Sequence, residues 1–560
     1  MARVKRLLII GLDGATLDLI EPWARAGHLP AMADLMARGS YSHLRSVYPV
    51  ISSAAWASFM TGMNPGKHGM YDFVSRHPES YRLRPTTRQH MSGRSLWRIL
   101  GDNDMQVGVL NVPMTYPPEP VNGFLVSGLG TPNHQTFTQP QALGERLLQQ
   151  GYRVNRRVFH KGPGSERAFM DDMYDVAEKL TQSALRLMDE EPWDFFMAVY
   201  RSSDEIAHAF WSHTDETHPA HDKARAQPYR DAILDCYRRL DQSVQKLVAA
   251  AGPETTVLII SDHGTGPLYK DVILNEWLRQ EGYLVTRTAK TGRRTLARLG
   301  ITRSNASRIL RALRLSRVES WIKQLLGERI DALPRDTWGD FSEVIDWSKT
   351  QAYSFGYYGQ IYLNVSGREP GGIVPPGEEF ERVRQQINES LRQWTDPDDG
   401  QPVVSQTFTS EELYHGPHAG RAPDLVVVMR DLAYVTRQGH EFGYKPGVIF
   451  TPPLTHETGS HRLNGVFIAS GPGITKTDGQ APTASLIDIA PTTLHLLGCP
   501  VPESMDGQVL ADRLTPDWAT RPVETCKDDD WAANAPQEEI LSEREEQELL
   551  DRLRNLGYLD

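Results

Sequence analysis

Leu7-Leu8-Ile9-Ile10-Gly11-Leu12 runs into Asp13-Gly14, and Val257-Leu258-Ile259-Ile260-Ser261 runs into Asp262-His263-Gly264. Each is a short apolar run that stops abruptly at a carboxylate and a glycine. Runs this short cannot form a helix of usual length, and their near-continuous hydrophobicity leaves no polar face. They read as strands buried on both sides, as in a mainly parallel sheet covered by helices. Val107–Val112, Phe195–Tyr200, Leu425–Met429 and Val466–Ala469 repeat the pattern. Helical periodicity fills the intervals, for example Ala168–Met188 and Tyr229–Ala251. The alternation predicts an α/β protein with a mainly parallel sheet sandwiched by helices. Sites in such sheets lie at the carboxyl ends of the strands, so the polar residues after each run carry the functional reading.

The chain of 560 residues is long enough to bury a large core and a deep site. A net charge of −11 argues against a dedicated nucleic-acid binder. No apolar run approaches the ~20 residues of a membrane span. Cys236, Cys499 and Cys526 are too few and too scattered for a disulfide framework or a thiolate zinc site. The opening MARVKRLLIIGLDG has a short apolar part and no small-residue cleavage site, so it reads as a strand and the protein as cytoplasmic. Nothing in the sequence sets an oligomeric state.

One segment breaks the composition. Arg287 to Arg329 holds twelve Lys or Arg against Glu319 and Glu328, a charge of +10 that leaves −21 for the rest of the chain. Ile309, Leu310, Leu313, Val318, Trp321 and Leu325 approximate helical spacing, which predicts a basic helical insertion over 286–345. It would be a solvated cap packed on the core, or a surface at 287–329 for anionic substrate or lipid headgroups. The core is then discontinuous, 1–285 and 346–514. The remainder, 515–560, reads as an extended linker followed by a short helix, opened by a Ser542/Glu545 capping box and closed near Gly557.

The strand ends supply Asp13, the pair Asp204 and His208 four residues apart, and Asp262 with His263; His461 precedes the run Val466–Ala469. A lone Asp-Gly is usually a turn, and a lone Asp-x-x-x-His is usually a helix surface pair. Together, three carboxylates and three imidazoles form a hard-to-borderline ligand set that suits two Zn²⁺ or Mn²⁺ ions. Two such ions ~4 Å apart can clamp both oxygens of an in-line displacement at phosphorus. Ser52 and Ser53 begin a helical stretch, where the dipole and free N–H groups favour a phosphate oxyanion; the alternative is that they only cap the helix.

The ordered set Asp13, Ser52, Asp204-x-x-x-His208, Asp262-His263-Gly264 and His461 resembles the alkaline phosphatase superfamily. It is most similar to the type I phosphodiesterase/nucleotide pyrophosphatase branch. That branch's nucleophile segment compares with Pro49-Val50-Ile51-Ser52 leading to Thr61-Gly62 and Asn64-Pro65-Gly66-Lys67-His68-Gly69. The late DIAPTTLHLLGCPVPESMDG looks like its core-closing segment. The resemblance implies an alkaline phosphatase-like core and a covalent phospho-serine on Ser52. It groups Asp204, His208 and His461 on one ion, and Asp13, Ser52, Asp262 and His263 on the other. The implied substrate is a small phosphorylated molecule, such as a nucleotide. Ser52 stands where the branch usually has threonine, and Ala54-Ala55 follow where members often carry an asparagine further on. His461 is preferred to His456 on spacing. A phosphomonoesterase, a phosphotransferase or a non-catalytic binding protein would use the same fold. A sulfatase is excluded, because Ser52-Ser53-Ala54-Ala55-Trp56 has neither the Pro nor the Arg of that motif.

Overall fold

The computed structural model describes residues 3–77, 79–132, 136–287, 344–436, 447–528 and 542–555. The strands used below are β1 Arg6–Leu12, β2 Ser40–Arg45, β3 Val107–Val112, β4 Gly123–Ser127, β5 Thr138–Gln139, β6 Phe195–Tyr200, β7 Thr255–Ile260 and β8 Gly264–Pro267. They continue as β9 Ala352–Ser354, β10 Gln360–Leu363, β11 Val404–Thr409, β12 Leu425–Met429, β13 Gly459–Arg462, β14 Asn464–Ser470 and β15 Ala484–Ser485. The helices needed are α1 Ser52–Thr61, α2 Glu166–Glu190, α3 Ser202–Thr214, α4 Ala232–Ala251 and α5 Glu543–Asn555.

Nine strands form the central sheet in the order β15-β2-β14-β7-β1-β6-β3-β4-β5. The five at its heart, β7, β1, β6, β3 and β4, are parallel throughout. Strand β14 runs antiparallel between β2 and β7, and β5 antiparallel beside β4. The two-sided burial read from β1 is realised residue by residue. Leu7 and Ile9 enter one core with Trp56 and Phe59 of α1, whereas Leu8, Ile10 and Leu12 enter another with Leu180 of α2 and Leu240 of α4. Each such side chain contributes roughly 1.5–3 kcal/mol by leaving water. This is a mainly parallel sheet covered by helices on both faces.

Two features differ from the sequence reading. Leu425–Met429 is a strand, but it belongs to a separate antiparallel sheet ordered β9-β10-β12-β11. An apolar run reports burial, not which sheet buries it. Within the stretch expected to be extended, Pro516–Ala519 is a helical turn and Thr525–Cys526 pairs in parallel with Val501–Pro502. Helix α5 does open at Ser542, whose hydroxyl and N–H both donate to Glu545 Oε2, and it buries Leu549 and Leu553 in the core.

The basic segment 288–343 lies outside the described residues, as does Gly557. Its flanks meet, since Thr286 bridges Ile345 and Arg287 N–H donates to Val344 O at 2.9 Å. Among the described residues, no helix is long and apolar enough to cross a membrane.

The late segment closes on the start of the chain's functional region. Asp506 and Gly507 N–H groups donate to Gly62 O, just beyond α1, and Lys67 Nζ reaches Asp506 Oδ1 at 2.5 Å. The C-terminal end of α1 is thereby tied down from a position more than 400 residues away.

Candidate active site

Parallel strands β7, β1 and β6 end side by side, and their next residues converge. Asp13 follows β1, Asp262 and His263 follow β7, and Asp204 sits in the first turn of α3 after β6. Gly14 has φ +66°, and a Cβ there would lie 2.8 Å from the Asp204 Cβ, so only glycine lets β1 and α3 approach this closely. Its N–H donates to Asp262 Oδ1 at 3.1 Å.

One turn of α3 brings His208 under Asp204, with Nε2 3.1 Å from Oδ1. His461 arrives from a different direction. Strand β13 pairs antiparallel with β8, placing His461 opposite Thr265 and so beside His263. Their rings stack at 3.6 Å, and His461 Nε2 lies 3.7 Å from Asp204 Oδ1. His456 is elsewhere, its ring 6.1 Å from that of His160.

Ser52 is the first residue of α1 and is fully buried. Ile51 occupies the N-cap and no side chain caps the helix, so neither serine plays the capping role. Instead Ser52 Oγ is 3.1 Å from His263 Nε2. The first N–H groups of the helix have no intrahelical acceptor and lie at the same end. Ser53 Oγ is buried with no hydrogen-bond partner.

The three imidazoles share one orientation. His208 Nδ1 is 2.8 Å from Gly459 O, His263 Nδ1 3.0 Å from Gly264 O, and His461 Nδ1 2.7 Å from Val50 O. A carbonyl only accepts, so each Nδ1 donates and each Nε2 turns its remaining position toward the carboxylates. This is how metal-ligating histidines are normally held. Asp13 Oδ1, Asp262 Oδ2 and His461 Nε2 are buried and without hydrogen-bond partners. Nε2 or carboxylate atoms of Asp204, His263 and His461 lie within 4.8 Å of one another, as do those of Asp13, Asp262 and His263. His263 therefore stands between the two sets.

Electrostatics point the same way. Burial pushes the Asp13 carboxyl well above the usual range, and the charges of Asp262 and Asp204 add to the push. Burial raises Asp262 to about 7. Burial also opposes ionisation of Asp204, but the neighbouring His208 outweighs it and holds this carboxyl well below the usual range. His208 is raised to about 9, because the Asp204 carboxylate overcomes the cost of burying a cation. Burial and His263 drive His461 well below the ordinary imidazole value. Three buried carboxylates facing unpartnered ligand atoms form a site short of positive charge, and divalent cations fit it.

Two contributors were not read from the sequence. Trp56, one turn along α1 from Ser52, donates its indole N–H to Asp13 Oδ2 at 3.0 Å. Tyr358, from the loop between β9 and β10, stacks on His461. The i, i+4 spacing of Ser52 and Trp56 was visible; nothing local marked Tyr358.

Sequence comparison identifies the family to which a chain with this sheet belongs. The profile of the type I phosphodiesterase/nucleotide pyrophosphatase family matches residues 7–448, and the chain belongs to that family, within the alkaline phosphatase superfamily. No curated protein matches the chain. Among solved structures, phosphonoacetate hydrolase from Sinorhizobium meliloti 1021, in complex with phosphonoformate, is similar at 13% identity and a TM-score of 0.53, covering 89% of this chain and 96% of that one. Human ectonucleotide pyrophosphatase/phosphodiesterase 5 is similar at 12% identity and a TM-score of 0.47, covering 90% and 97%. At this identity the likeness to the phosphonoacetate hydrolase is one of fold.

Proposed function

We propose that this chain is a two-metal phosphohydrolase that cleaves phosphodiester or nucleotide pyrophosphate bonds through a covalent phospho-Ser52 intermediate. The observation that carries the reading is the common orientation of His208, His263 and His461. Each is locked through Nδ1 to a backbone carbonyl, with Nε2 facing buried carboxylates. Asp204, His208 and His461 would hold one divalent ion; Asp13, Ser52, Asp262 and His263 would hold the other. Zn²⁺ suits the donors best, with Mn²⁺ the alternative. Bound there, the ions supply charge neutralisation at the phosphoryl group and Lewis acidity toward the attacking and leaving oxygens.

The protein's own groups do the rest. Ser52, buried at the start of α1, presents Oγ to phosphorus. The Oγ–P bond forms as the bond to the leaving oxygen breaks, and the hydroxyl proton passes through solvent to that leaving oxygen. The free N–H groups at the helix start face the charge that develops on the phosphoryl oxygens. Water then attacks phosphorus, forming a new P–O bond as the Oγ–P bond breaks and returning a proton to Oγ, so two in-line displacements retain configuration at phosphorus. The catalytic unit is the discontinuous core 1–285 and 346–514, and the unpaired cysteines support action in the cytoplasm.

The test is turnover of bis-p-nitrophenyl phosphate, p-nitrophenyl phosphate and a nucleotide pyrophosphate with added Zn²⁺ or Mn²⁺. The reading expects the diester and pyrophosphate to outpace the monoester, and a chelator to stop all three. Faster monoester turnover would make the chain a phosphomonoesterase. Turnover only in the presence of an alcohol acceptor would make it a phosphotransferase.

A further inference from the structure

His461 is oriented by more than its hydrogen bond to Val50. Its ring stacks against His263 at 3.6 Å with 20° between planes, and Tyr358 stacks on it at 5.1 Å and 26°. The hydrogen bond fixes rotation of the imidazole within its plane, whereas the stacked rings fix its tilt. Tyr358 is itself nearly fully buried, and its hydroxyl lies 3.4 Å from Ser460 Oγ, next to His461 in the chain.

The backbone that delivers this tyrosine is unusual. Tyr358 has φ +65°, a left-handed conformation that a bulky side chain rarely adopts. The surrounding loop holds it there. Gly356 and Gly359 have φ +100° and +73°, and a Cβ on Gly359 would sit 2.1 Å from Val427 O of β12. Thr436 Oγ1 donates to Gly356 O at 2.8 Å and accepts from Gly359 N–H at 3.0 Å, pinching the loop from both ends. A bulky aromatic kept in a strained conformation by its surroundings, in contact with a site residue, points to a role at that site.

We infer that Tyr358 is a positioning residue for the metal site: it sets the tilt of the His461 imidazole so that Nε2 faces Asp204. The separate sheet β9-β10-β12-β11 is thereby a working part of the site. The inference rests on His461 being a ligand, and the experiment separates the two ideas.

Metal stoichiometry and affinity are measured on the full chain by titration calorimetry with Zn²⁺ and by native mass spectrometry. The proteins are wild type, His461→Ala, Tyr358→Leu, Tyr358→Phe and Tyr357→Leu. His461→Ala should lose one ion; if it holds both as wild type does, the ligand reading itself fails. Given that loss, Tyr358→Leu should weaken one ion by about 10–100-fold and spare the other, the usual effect of removing a group that orients a ligand. Tyr358→Phe, which keeps the ring, should retain both ions. Tyr357→Leu removes similar volume from the neighbouring position of the same loop, and should also retain both. Wild-type affinity in Tyr358→Leu, or an equal loss in Tyr357→Leu, overturns the inference. If Tyr358→Leu does not fold, Tyr358→Asn takes its place, because asparagine tolerates the left-handed backbone while lacking the ring; the same outcomes decide.

Discussion

The indole N–H of Trp56 donates to Asp13 Oδ2 at 3.0 Å, leaving Asp13 Oδ1 as the oxygen turned toward the site without a partner. One face of α1 thus carries both the Ser52 hydroxyl and the group that orients the Asp13 carboxylate. The fit is close: a Cβ on Gly11 would lie 2.9 Å from the Trp56 ring. Two outcomes are expected. Trp56→Phe should fold and weaken one metal ion by about 10–100-fold, read by calorimetry. Gly11→Ala should lower stability by about 1–3 kcal/mol through overpacking, read by denaturant unfolding. A Trp56→Phe protein with unchanged metal affinity would remove the indole from the account.

Ser52→Ala should abolish turnover while leaving the unfolding midpoint close to wild type, since its hydroxyl caps nothing. Ser53→Ala is the matched control, because that hydroxyl has no hydrogen-bond partner in the fold. Trapping with a radiolabelled diester should give phosphoprotein in the control and none in Ser52→Ala. Near wild-type turnover by Ser52→Ala would sink the nucleophile assignment.

The ligand sets should separate by mutation. His208→Ala should weaken one ion and Asp262→Asn the other, each taking the metal count from two toward one by mass spectrometry. His263→Ala should weaken the same ion as Asp262→Asn, since the two side chains lie in one cluster with Asp13. A mutant that keeps two ions at native affinity removes that residue from the ligand set.

Stability should fall on acidification below about pH 6.5, partly through His68. This imidazole is fully buried against α1, where Met70 N–H donates to Nδ1 at 3.1 Å and Nε2 therefore donates to Ser58 Oγ at 2.8 Å. Burial lowers it to about 3, so the folded state refuses a proton that the unfolded chain takes up near pH 6.5. Its contribution is whole above that pH and is lost as pH falls toward 3, at up to about 1.4 kcal/mol per pH unit. His68→Gln should flatten the slope of unfolding free energy between pH 6.5 and 4. An unchanged slope would mean that other groups carry the acid sensitivity.

Most of the residues gathered at the candidate site were legible because they follow apolar strands in sequence. The halt of an apolar run at Asp13 or at Asp262-His263 is a local event, and so is the four-residue spacing of Asp204 and His208. Two-sided burial of β1, and with it the sheet sandwiched by helices, was written in the run Leu7–Leu12 in the same way. The choice between His456 and His461 was harder, since they lie close together in the chain; the Pro-rich surroundings of His456 and the family spacing favoured His461.

Tertiary structure decided what depends on contacts between distant segments. The β8–β13 register that sets His461 beside His263, the carbonyls of Val50, Gly459 and Gly264 that orient the imidazoles, and the Trp56 indole on Asp13 leave no periodic trace. The assignment of Leu425–Met429 to a second sheet, and the delivery of Tyr358 from that sheet onto His461, are likewise invisible locally. The physical reason is common to all of them. Hydrophobic pattern states that a residue is buried and with what period. Which partner it meets is fixed by how the strands pair and the helices pack, and those energies exist only once the whole chain has come together.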